Sequence, residues 1–308
     1  MGLFDKIREP VFLKEDSSAE TQLLAFQELA KTATGALAER LEQEIKCVEA
    51  GIFGENAIKY ELRNSHIPMF VLHDLYLEHE GLSAQIDFLI VTRKHQYIVE
   101  CKNLYGDIEI TSSGDFVRTV SFGHFKKKEG IYSPITQNKR HLELIKQIRR
   151  AERNNFLTKA LFESNFYNNY RSIVVLANPK TVLNAKYAKK EVKDQVIRAD
   201  QLSEYIRRTD ADPKAIDSSE KEMETLARYF LSIHKPQEID YTDRFRDLGG
   251  TTETPDPIAA PSQNTEQILC PKCGAVMIRR KATKGPNAGG EFYGCSNFPK
   301  CRGIIAIK

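Results

Sequence analysis

Two neighbouring runs decide the fold: Ala84-Gln85-Ile86-Asp87-Phe88-Leu89-Ile90-Val91 and Tyr97-Ile98-Val99-Glu100-Cys101-Lys102. Both are short and rich in branched and aromatic residues, which predicts strands. Between them Thr92 to Gln96 is polar and fits a hairpin turn. Each strand carries charge inside otherwise apolar sequence, and an unpaired buried charge is costly. Side chains alternate faces along a strand, so Glu100 and Lys102 share a face while Val99 and Cys101 take the other. A turn centred between Arg93 and Lys94 sets Asp87 opposite Glu100. A slip of two sets Asp87 opposite Lys102. Both registers keep the three charged residues on one face; a one-residue slip does not.

Two carboxylates meeting on such a face form a hard oxygen site suited to Mg²⁺ or Mn²⁺. An adjacent ammonium can orient an attacking water or offset developing negative charge. The competing reading is a structural ion pair in which Lys102 only neutralises the carboxylates. A helix is expected over Cys47 to Asn64, with Val48, Ile52, Ile58 and Leu62 at helical spacing and Glu55 in the same stripe. Glu55 either joins the site, as a third carboxylate or a water ligand, or snorkels at the stripe edge. A second helix is expected from Ser133-Pro134, with Ser as N-cap and Pro at the first helical position. Its apolar face runs Ile135, Leu142, Ile145, Ile148, flanked by Gln137 and His141. Gln137 is placed to meet a phosphate or base edge, or else is solvated.

Taken together, Gly54-Glu55, Gln85-Ile86-Asp87, Val99-Glu100-Cys101-Lys102-Asn103 with Gly106 behind, and Ser133-Pro134-Ile135-Thr136-Gln137 resemble the nuclease-related domain (NERD) of the PD-(D/E)xK nuclease superfamily. The resemblance covers roughly Glu44 to Arg150. It implies an α/β fold: a restriction-endonuclease-like core with a central mixed β-sheet flanked by helices. It also implies metal-binding roles for Asp87 and Glu100, a catalytic lysine in Lys102, a helix carboxylate in Glu55 and a helix-borne glutamine in Gln137. Ile86 stands where the superfamily name expects Pro.

Four of the six cysteines lie near the end: Cys270 and Cys273, then Cys295 and Cys301. Two paired knuckles in a short segment have the spacing of a four-thiolate structural zinc site. So short a segment needs the metal to fold. A pair of disulfides is the rival; the two lone cysteines, Cys47 and Cys101, and the lack of a secretory signal favour a reducing compartment. The stretch from Cys270-Pro-Lys-Cys273-Gly to Gly290-Glu-Phe-Tyr-Gly-Cys295-Ser-Asn-Phe-Pro-Lys-Cys301 resembles the C-terminal zinc ribbon of type IA DNA topoisomerases, over about Gln267 to Lys308. Such a resemblance implies single-stranded DNA binding. Residues 270–308 carry eight Lys or Arg against Glu291 alone, net +7. Arg279, Arg280, Lys281 and Lys284 for phosphates, with Phe292, Tyr293 and Phe298 for stacking, suit that role. At least one of these aromatics is expected in the ribbon's small core. Lys281 to Gly290 is Gly-rich but lacks a Walker ending and reads as a loop between strands.

At 308 residues with 41% hydrophobic content, two domains are expected. No run of 18 apolar residues occurs, so no membrane partner is expected. The opening residues lack a signal-peptide core, so a cytoplasmic location is expected. The chain's charge of +3 leaves −4 for residues 1–269, so nucleic-acid affinity is expected in the tail. The expected divisions are a helical segment over 1–43, the nuclease-related domain over 44–150, an α/β extension over 151–234, a flexible linker over 235–266 and the ribbon over 267–308. Lys126-Lys127-Lys128 reads as a solvated turn, with a DNA contact as the alternative.

The chain therefore reads as a Mg²⁺- or Mn²⁺-dependent DNA nuclease with a tethered structural-Zn²⁺ ribbon. The alternatives are a non-catalytic DNA-binding or recruitment protein on a nuclease-like scaffold, and an RNA-processing nuclease. A homodimer is compatible with the sequence, which identifies no dimer face.

Overall fold

The computed structural model describes residues 7–122, 125–237, 239–245, 277–281, 291–295 and 304–306. The chain divides into two compact units, Met1–Thr252 and Glu253–Lys308. The first runs β1 (Pro10–Lys14), α1 (Ser18–Ala30), α2 (Gly35–Arg63), β2 (Met69–His79), β3 (Leu82–Val91), β4 (Gln96–Lys102), β5 (Asp107–Ile110), β6 (Phe116–Phe122) and β7 (Phe125–Ile131). It continues with α3 (Pro134–Ala151), α4 (Phe156–Asn169), β8 (Tyr170–Leu176), β9 (Leu183–Asn184), α5 (Lys190–Lys193), β10 (Val196–Arg198), α6 (Leu202–Asp210) and α7 (Glu220–Ser232).

Six strands form a mixed sheet in the order β1-β2-β3-β4-β8-β10. β2, β3 and β4 are antiparallel; β8 and β10 continue in parallel with β4, and β1 is parallel to β2. One face buries Leu72, Ile86, Leu89 and Ile98 under α3, α4 and α7 through Leu142, Ile145, Phe166 and Phe230. The other buries Val71, Phe88, Val99 and Ile173 under α2 and α6 through Ile58, Leu62, Leu202 and Ile206. Such a sheet, apolar on both sides, explains why its strands read as nearly continuous hydrophobic runs.

A second mixed sheet, β7-β6-β5-β9, is inserted between β4 and α3, with β9 joining it from beyond β8. Ile108, Ile110 and Phe116 dock it on Val174, Leu176 and Ile135. This sheet was not expected. Lys126, Lys127 and Lys128 lie in strand β7, not in a turn; Lys127 pairs with Glu129 at 3.1 Å and Lys128 with Glu109 at 3.5 Å. Glu129 on the same strand and Glu109 on β5 offset the charge of two of these lysines.

Two of the expected segments carry structure that was not expected in them. The N-terminal segment contains a strand, β1, besides α1. The start of the expected linker is packed: Phe245 is buried edge-on against Phe26 with ring centroids 5.3 Å apart, and Arg244 reaches Glu44 at 2.9 Å. Proline and threonine nearby masked one aromatic anchor. Among the described residues no helix is long and apolar enough to cross a membrane.

In the second unit β11 (Met277–Lys281), β12 (Glu291–Cys295) and β13 (Ile304–Ala306) form an antiparallel sheet, with Arg279 opposite Tyr293 and Arg280 opposite Phe292. Residues 282–290, expected as a loop between strands, lie outside the described residues. Cys270, Cys273, Lys284, Phe298 and Cys301 and the side chain of Cys295 lie outside the described residues.

Candidate active site

β3 and β4 pair with Phe88 opposite Val99 and Val91 opposite Gln96. The same register sets Asp87 opposite Glu100. The ladder stops there, and the Cys101 amide donates to Asp87 Oδ2 at 2.7 Å. β2 changes phase close to this row. On β2, Leu72 and Leu75 pack on the same face; on β3, Ile86 and Phe88 pack on opposite faces. Asp74, between Leu72 and Leu75, has φ +55°, a left-handed conformation that Asp tolerates better than most residues. Its carboxylate accepts the Ser18 amide at 2.5 Å and the Gln85 side chain, which holds the unusual conformation. The sheet thus turns at the row that carries Asp87.

Glu100 is 1% exposed. Its Oε1 meets Lys102 Nζ at 2.6 Å. Its Oε2 faces His141 Nδ1 at 3.5 Å, and neither atom has a hydrogen-bond partner. Burial raises the Glu100 carboxyl above its usual range although Lys102 opposes the shift. Burial, then the charge of Glu100, push Asp87 well above its usual range. For Lys102 burial works against the ammonium, but the Glu100 carboxylate prevails and the group is raised. Burial, helped by the Lys102 charge, lowers His141 to about 4, so it is neutral at neutral pH.

α3 starts as expected: Ser133 accepts the Thr136 amide at 3.3 Å, with Pro134 in the first turn. Asn138, fully buried, donates to the carbonyls of Ile98 and Ile173, both at 2.9 Å. This bridge ties α3, the helix from which His141 faces Glu100, to β4 and β8. Gln137 is half-buried one turn before His141, and its side chain hydrogen-bonds to no described residue.

Glu55 projects from α2 and is near enough for its charge to add to the rise at Asp87. Its own contacts lie elsewhere: Oε2 is 2.9 Å from His73 Nε2 and 3.4 Å from Ser17 Oγ. His73 is fully buried, and its Nδ1 donates to the Glu15 carbonyl at 3.0 Å. The same carbonyl accepts Lys59 Nζ at 3.0 Å. Sequence reasoning missed His73 and Asn138. A histidine inside the apolar run from Met69 to Leu77, and an Asn directly after Gln137, were the available signals.

Among the described residues no three His, Cys, Asp or Glu side chains enclose a metal-sized space. Asp87 and Glu100 nevertheless suit a divalent cation by chemistry. They are adjacent oxygen donors that repel each other, and one buried oxygen of Glu100 is unpartnered. A cation would relieve both costs.

The two strand carboxylates and the lysine therefore meet at one end of an α-β-β-β-α-β core, with the helix carboxylate behind them. The core of this chain is similar to a nuclease-related domain. Residues 50–177 match the family described as "Nuclease-related domain", so the match includes β8 as well as the expected motifs. Residues 267–308 match the "Topoisomerase DNA binding C4 zinc finger". A DNA topoisomerase 1 from Methanocaldococcus jannaschii is 44% identical over 46 residues, which cover 15% of this chain and 5% of that protein. No solved structure matches. The nuclease-related domain and the ribbon together point to a DNA partner and to nuclease-type chemistry.

Proposed function

We propose that this chain is a metal-dependent deoxyribonuclease whose ribbon holds single-stranded DNA near the cut. The observation that carries the reading is the Asp87–Glu100–Lys102 set at the end of two paired strands, with a buried Glu100 oxygen left without a partner. A scaffold gains nothing from carboxylates whose burial and repulsion hold them above their ordinary range.

Asp87 and Glu100 would hold Mg²⁺ or Mn²⁺, which when bound supplies Lewis-acid polarisation of the scissile phosphate. Lys102, still cationic at neutral pH, orients the attacking water and offsets charge on the phosphate oxygens. Neutral His141 lines the Glu100 carboxylate. Glu55, fixed by His73, orders solvent behind Asp87. Gln137, with no internal partner among the described residues, is free for a phosphate or base edge. Cys270, Cys273, Cys295 and Cys301 would hold the structural Zn²⁺, and the basic and aromatic residues around them would contact DNA.

The test is cleavage of single-stranded, duplex and forked DNA, with a matched RNA, by purified protein in Mg²⁺ or Mn²⁺. We expect cutting of DNA that EDTA abolishes and that Asp87→Ala reduces at least about a hundredfold. Preferential cutting of the RNA would favour the RNA-processing reading. Cutting unchanged in Asp87→Ala would overturn the assigned site.

A further inference from the structure

We propose that the connection between β8 and β10, residues 177–195, is a second nucleic-acid contact that leads the single strand to be cut toward Lys102. The inference rests on the nuclease reading above and assigns that site its substrate track. The connection carries Lys180, Lys186, Lys189, Lys190 and Lys193 against Glu191 and Asp194, net +3, so the rest of residues 1–269 is −7. All five lysines are exposed, and among the described residues none has an acidic partner. A solvated protein face usually interleaves both signs, as α7 does here with Arg228 and Glu224 at 2.7 Å.

The strip is held rigidly against the strand ends. The Ala177 amide donates to the Lys102 carbonyl at 3.0 Å, so the connection begins beside the candidate catalytic lysine. Thr181, buried, donates to the Leu104 carbonyl at 2.6 Å. The Ile108 amide donates to the Val182 carbonyl at 2.9 Å, and β9 then pairs with β5. Arg198 clamps the Thr181 carbonyl at 2.8 Å. Lys193 Nζ closes the loop on the Lys186 carbonyl at 2.8 Å. The track therefore lies outside the carboxyl ends of the parallel strands β4 and β8, where open α/β sheets bind ligands.

Tyr187 supplies the second element. It is 66% exposed, and Lys186 Nζ lies 5.2 Å from its ring centroid. An exposed aromatic face among fixed lysines suits an unpaired base flanked by its phosphates. A duplex hides its base faces, so a single strand is the partner.

The experiment uses the full chain, zinc-loaded, in a buffer without Mg²⁺ or Mn²⁺, so that binding is read without cutting. Anisotropy of a labelled single-stranded oligonucleotide is followed over a salt series for wild type, the triple variant Lys186→Gln/Lys189→Gln/Lys190→Gln, and the control Lys214→Gln/Lys221→Gln. Each lost single-strand phosphate contact lowers the slope of log K against log salt by about 0.7. The triple variant should lose about 2 from the slope while the control keeps the wild-type value. Tyr187→Ala should weaken single-strand binding about five- to a hundredfold and leave duplex binding unchanged. A wild-type slope in the triple variant would overturn the proposal, as would equal loss on both substrates for Tyr187→Ala. These effects in a protein that never cuts DNA would leave the strip standing and remove only the nuclease reading.

Discussion

At the residue scale, the decisive quantity is the cost of keeping Asp87 and Glu100 side by side in a buried sheet. The folded chain holds the Asp87 proton to higher pH than the unfolded chain does. Stability therefore falls as pH rises from the ordinary carboxylate range through the raised value, and above that value the penalty is complete. Asp87→Asn keeps an oxygen for the Cys101 amide and removes the charge. In chelator at neutral pH it should raise stability by about 1–2 kcal/mol, read as a higher midpoint of thermal unfolding. Millimolar Mg²⁺ or Mn²⁺ should raise the wild-type midpoint and not that of the variant. A variant less stable than wild type in chelator would mean that the carboxylate is stabilising and that the pair is structural.

At the element scale, the site depends on how closely α2 approaches the strand ends. Gly54, next to Glu55, leaves no room for a methyl group: a Cβ there would lie 2.8 Å from Asn103 Cβ and 3.2 Å from both Ala177 Cβ and Cys101 Sγ. Gly54→Ala should gain up to about 1 kcal/mol of helix propensity. Overpacking should cost about 1–3 kcal/mol. The net loss of stability should come with weakened cleavage, because α2 must move away from Lys102's strand. Denaturant unfolding and cleavage rates of the same preparation check both. This contact was not legible in sequence; Gly54 was only a motif letter. The β3–β4 hairpin was legible, because the pleat and the polar turn together restrict the register, and the structure pairs Phe88 with Val99 accordingly. The α3 start was legible from Ser133-Pro134. The turn in β2 at Asp74 was not, since no local residue pattern demands a left-handed Asp; it is fixed by Ser18 and Gln85, distant in sequence. Nor was the second sheet, whose strands are short and partly charged. Glu55 could be placed on the correct helix, but its partner His73 comes from β2, and tertiary pairings of that kind leave no periodic trace.

At the scale of the whole molecule, charge and chemistry are divided. Residues 270–308 carry net +7, while residues 1–269 carry −4 and hold the candidate active site. Two compact units make their stabilities separable. Cys270→Ser should abolish stoichiometric zinc and weaken single-stranded DNA binding at least about tenfold, while the thermal transition of the larger unit stays in place. Zinc content, binding and calorimetry on one sample check the three parts. A large fall in that transition would show that the ribbon supports the core. On the proposed reading, linking the ribbon to the core would raise the effective concentration of DNA at the candidate site, so its loss should act mainly on binding and little on the cleavage step. The measurement that bears most directly on the central claim is single-turnover cleavage of a bound oligonucleotide in Mg²⁺ or Mn²⁺ by wild type and Lys102→Ala, with affinity measured alongside. The account predicts that the variant binds as wild type does and cuts at least about a hundredfold more slowly. Equal cutting by both proteins, or tight binding with no cutting by wild type, would contradict it.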